Sequence, residues 1–113
     1  MEAMYFDING EAISQLYWIM KFNDPDYRRI GWSRVGWGPN KKRVSTVWLG
    51  LNHSHLPHGT PIIFESMVFL NNASGESAYQ ARYARREEAV SGHAQLVRKY
   101  QYNRAQRRRK GIP

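Results

Sequence analysis

The 113-residue chain has no cysteine, which excludes disulfides, iron–sulfur clusters and thiolate zinc sites. No apolar run approaches the roughly 20 residues that a membrane helix needs, so no membrane association is expected. The opening "MEAMYFDING" is acidic and has no long apolar core, so no signal peptide is expected and the expected location is cytoplasmic. There is no nucleophile motif, P-loop or dinucleotide fingerprint. "GWSRVGWG" has glycines but not the strand–turn–helix setting of a phosphate cradle. Before the C-terminus there is no repeat and no low-complexity segment. Acidic residues are scarce, nine against 17 Lys/Arg.

The excess charge is local. Residues 98–113, "RKYQYNRAQRRRKGIP", hold seven Lys/Arg and no Asp/Glu, leaving a body near +1 out of a net +8. Such asymmetry points to a polyanionic partner. Arg98, Lys99, Tyr100, Tyr102, Arg104, Arg107, Arg108, Arg109 and Lys110 are the expected nucleic-acid contacts, and Lys41, Lys42 and Arg43 form a secondary basic hairpin. The competing reading is a solvated tail whose cations suit a helix C-terminus.

Hydrophobic residues at 42% indicate one globular domain over residues 1–100, followed by a basic helical extension or tail over 101–113. "MYFDI" is a short strand candidate. In "EAISQLYWIMKF" the residues Ile13, Leu16, Tyr17 and Met20 predict an amphipathic helix, which "NDPD" ends. "RRIGWSRVGW" is a strand with a bulge at its glycines, and "GPNKK" a turn. "RVSTVWLGLNH", "PIIFESMVFL" and "AYQARY" are further strands. In "RREEAVSGHAQLVRKY", Ala89, His93, Leu96, Val97 and Tyr100 form one helical stripe. The expected fold is α+β: a four- to five-stranded antiparallel sheet with two helices, the C-terminal one extended and basic.

Three histidines, His53, His55 and His58, crowd the loop between the two best strands. If Leu51 lies opposite Pro61, Glu65 sits about 20 Å along the strand from His58, too far to complete a metal site. The expected role is a polar hairpin tip with no metal and no cofactor. The same register divides the strands into two faces. Trp48, Ile62, Phe64 and Val68 share one, and a homodimer through that face is the simplest cover for it. Val47, Leu49, Leu51, Ile63 and Met67 share the other, together with Glu65. Glu65 is a carboxylate in an apolar strand and needs a partner, with Arg82 and His93 as the candidates.

"VSTVWLGLNH" (44–53), "FESMVF" (64–69), Arg82-Tyr83, Glu88-Ala89 and Gly92-His93 resemble the pattern of a group of short proteins of tailed phages and prophages. Asn52 stands where that pattern has Asp, which weakens a catalytic role for His53. His55, His58 and the basic tail lie outside the pattern. The resemblance implies a viral accessory protein that acts by binding, as an inhibitor in host takeover or counter-defence, and it carries no established activity. Three functions follow as expectations. The first is a non-enzymatic binder of nucleic acid or a nucleoprotein complex. The second is an oligomeric sponge for a signalling nucleotide. The third, ranked last, is a hydrolase using His53, Glu65 or His93.

Overall fold

The computed structural model describes residues 4–54, 59–70 and 75–109, with side chains up to Gln101. The elements are α1 (Gln15–Phe22), α2 (Pro25–Arg28), β1 (Arg29–Val35), a 3-10 turn (Gly38–Asn40), β2 (Lys42–Trp48), β3 (Phe64–Leu70), β4 (Ser77–Tyr83) and α3 (Arg86–Arg109). The four strands form an antiparallel meander in the order β1-β2-β3-β4. The expected α+β architecture is borne out, with four strands and three helices among the described residues.

Register follows the alternation of the sequence. Trp48 pairs with Phe64, Val47 with Glu65 and Val44 with Val68, which is the register that puts Leu51 opposite Pro61. The expected bulge falls in β1 between Arg29 and Gly31. Every second residue of β2 is buried: Val44, Thr46 and Trp48.

α3 lies on that buried face. Ala89 joins Phe6, Trp48, Ile63 and Phe64 in one apolar cluster, and Leu96 joins Val35, Val44 and Val68 in a second. The predicted stripe of α3 is therefore the packed stripe. Two glycines allow the close approach. A Cβ at Gly31 would stand 2.9 Å from the His93 ring, and a Cβ at Gly92 would collide with the Tyr83 phenol. The backbone of α3 passes residue 100 without a break.

Three expectations need correction. The face of Trp48, Phe64 and Val68 cannot form a dimer, because α3 already covers it; Ile62 precedes β3 and lies off that ladder. The predicted stripe of α1 faces outward, with Leu16 70% and Met20 63% exposed. Trp18 and Phe22 dock the helix instead: the Trp18 indole donates to the Leu49 carbonyl at 2.9 Å, and its ring packs, tilted, against Tyr5 and Phe22. Aromatic area outweighs aliphatic spacing here. Finally, "MYFDI" forms only isolated bridges, Tyr5 with Leu51 and Phe6 with Ala12. "NDPD" also does more than stop a helix, since Asp24 caps α2 by accepting from Asp26 and Tyr27.

Candidate nucleic-acid interface

A polar stripe crosses the core between the two apolar clusters. His93 Nδ1 is hydrogen-bonded to Thr46 Oγ1 at 2.7 Å and His93 Nε2 to Ser33 Oγ at 2.9 Å. Thr46 Oγ1 is also bonded to Ser66 Oγ. A hydroxyl can either donate or accept, so a neutral imidazole is satisfied in either tautomer. Burial holds the His93 pKa below its usual value. Ser33 and His93 have the separation of a nucleophile and its base. The group behind the ring is a neutral hydroxyl, however, and offers an imidazolium no charge stabilisation. The ring also lies against Gly31 beneath α3. This geometry suits a latch that sets the position of α3 on the sheet, since a slip along either element would strand buried polar atoms.

His93 is thus not the partner of Glu65. Glu65 lies on the opposite face and directly across from Arg82. Its carboxylate accepts from Arg82 Nε at 3.0 Å and from Gln80 Nε2 at 2.9 Å. The pair is only partly buried, the Arg82 side chain being 41% exposed and that of Glu65 12%.

Within the histidine loop, His55 and His58 lie outside the described residues. The His53 backbone amide donates to the Ile62 carbonyl at 2.9 Å, and Asn52 Oδ1 accepts from the amides of Ser54 and Ile62. Asn52 therefore ties both sides of the loop together. Among the described residues no group of three or more His, Asp or Glu is arranged to hold a metal.

The two basic regions of the sequence meet. Lys42 projects from β2 toward α3, and its ammonium lies 5.7 Å from the centre of the Tyr100 ring. Lys99 lies 5.7 Å from the same ring and 5.1 Å from that of Tyr79. The hairpin and the stem of the basic helix therefore form one continuous cationic surface, with Arg98 exposed beside it. Beyond Gln101 the helix continues to Arg109. The side chains of Tyr102, Arg104, Arg107, Arg108 and Arg109 lie outside the description, as does all of Lys110.

Sequence reading missed Arg34. It pairs directly with Arg43 across β1 and β2, on the sheet face away from α3. The turn segment did not give this pairing: a hairpin centred on "GPNKK" sets position 34 opposite 46, whereas the observed register is centred between Gly38 and Pro39. No family model, no curated protein and no solved structure matches the chain.

Proposed function

We propose that the protein is a non-enzymatic binding protein that engages nucleic acid or a nucleoprotein complex through the cationic surface at the C-terminal end of α3. The observation that supports this most is the junction of Lys42, Lys99 and Tyr100. It joins the basic hairpin to a helix that carries six Lys/Arg and no Asp/Glu from Arg98 to Arg109. At about 1.5 Å per residue, residues 101–109 add roughly 14 Å of helix beyond Tyr100. A helix of that kind lays a row of guanidinium groups along phosphates, while the tyrosines at its base offer stacking. The resemblance to proteins of tailed phages makes host takeover or counter-defence, in the cytoplasm of the infected cell, the setting that we propose with it.

The test is the salt dependence of binding to a short DNA duplex. With about four phosphates engaged, the log–log slope is about −3 to −4. Deleting residues 104–113 leaves the melting temperature unchanged and removes most of that slope. Unchanged affinity and slope after the deletion contradict the proposal.

A further inference from the structure

The sheet face away from α3 is open, and its side chains form a grid. One rung is Arg34, Arg43 and Phe69; the next is Trp32, Ser45 and Met67; the third is Val47, Glu65 and Arg82. Arg82 is matched by Glu65. Arg34 and Arg43 are like charges placed directly opposite each other, an unfavourable pairing, and among the described residues neither has a carboxylate partner. Each guanidinium lies over an aromatic ring of its own face, Arg34 over Trp32 and Arg43 over Phe69, both at 5.2 Å. The same two arginines line a concavity of about 370 Å³ with Lys41, Lys42, Val35 and Gly36, so four of its six lining residues are cations and none is acidic.

Trp32, 47% exposed, also borders a second concavity with Arg28, Arg29, Ser45 and Val47. Arg28 Nε there is buried without a hydrogen-bond partner. Arg29 makes a long, exposed contact with Asp26 at 3.9 Å. Along β1, then, an exposed indole stands between two cationic concavities.

We infer that this open face is a binding site for single-stranded nucleic acid. A backbone phosphodiester sits between Arg34 and Arg43, where its two anionic oxygens, one toward each guanidinium, relieve the repulsion between them. Unpaired bases stack on Trp32 and Phe69, which lie two strands apart and one rung offset, or roughly 12 Å. The exposed Trp32 ring, with the half-buried Phe69 beside it, selects unpaired bases, because a duplex keeps its base faces inside the stack. Arg43 and Lys42 are consecutive residues of β2 and point to opposite faces. The same strand can therefore pass over the hairpin end from the open face to the basic stem of α3. This deepens the function proposed above and rests on it for the class of partner.

The experiment measures anisotropy of a short labelled oligothymidylate and of a duplex of equal length with the full chain. The arginine double variant Arg34→Ala/Arg43→Ala weakens single-strand binding by about tenfold or more and duplex binding by no more than about twofold. Trp32→Ala weakens single-strand binding by about fivefold or more. An unchanged melting temperature in both variants separates these losses from misfolding. Cross-linking to a bromouracil oligonucleotide maps to Trp32 or Phe69. If the arginine double variant binds the single strand normally while deletion of 104–113 abolishes binding, this inference is overturned and the helix reading stands. If the deletion is silent and the double variant is not, the reverse holds. A mononucleotide that competes as well as the oligomer overturns the single-strand assignment in favour of a small nucleotide. A concentration-dependent dimer that Trp32→Ala dissociates overturns it in favour of a second copy of the chain.

Discussion

The two faces of one sheet solve opposite problems. Beneath α3, Trp48, Phe64, Val44 and Val68 are fully buried, and every described polar side chain of the central stripe is hydrogen-bonded. On the other face, Trp32 and the Arg34–Arg43 pair remain in solvent, with like charges opposed and aromatics uncovered. The first arrangement minimises the energy of the isolated chain. The second leaves favourable interactions unmade, and it is there that a partner gains most.

Substitutions break this contrast in a definite order. Trp48→Ala removes the largest fully buried side chain and the indole that donates to the Phe6 carbonyl at 3.0 Å. It should cost about 3–5 kcal/mol by denaturant titration. Gly92→Ala forces a methyl into the Tyr83 ring and should cost about 1–3 kcal/mol. A cost below about 0.5 kcal/mol would show that α3 is not seated as closely as described.

A titration comes next. Burial lowers the His93 pKa in the folded state relative to the unfolded chain. Above the unfolded value of about 6.5 both states are neutral at this site and its contribution is fully present. As pH falls through that value toward the lower folded one, the unfolded chain takes up the proton first and stability drops. The difference in unfolding free energy between the natural chain and His93→Gln should therefore shrink on acidification. A difference that widens as pH falls would contradict a desolvated neutral imidazole.

The smallest effects belong to the open face. Glu65→Ala breaks a pair whose Arg82 is 41% exposed, so the loss should be no more than about 1 kcal/mol, with Glu65→Gln milder. A loss of several kcal/mol would mean that the face is covered in solution.

Much of this was legible in the sequence. Val44, Thr46 and Trp48 alternate with Ser45 and Val47, and that alternation with the loop centre gives the register of β2 on β3. The stripe of Ala89, His93 and Leu96 marks the inner side of α3. Which sheet face α3 would cover was not legible, because β3 is apolar on both sides: Phe64 and Val68 on one, Met67 and Phe69 on the other. The deciding features are small: Gly31 and Gly92 make room where His93 and Tyr83 enter. Nor did spacing reveal the docking of α1, which packs through Trp18 on the Leu49–Gly50 turn rather than on the sheet. Thr46, Ser66, Tyr83, Ala89, Gly92 and His93 meet where α3 packs on the sheet. These residues hold the fold together, whereas the proposed contacts lie elsewhere.

The central claim is that nucleic acid meets the open face and the basic helix while the covered face is untouched. The indole N–H resonances of the full chain report this directly during titration with oligothymidylate. Trp32 is exposed, whereas the Trp18 and Trp48 indoles are committed to the Leu49 and Phe6 carbonyls. The account predicts that the Trp32 signal shifts in proportion to occupancy while those of Trp18 and Trp48 hold still. Saturable binding with Trp32 unmoved, or with Trp48 shifted instead, would contradict it.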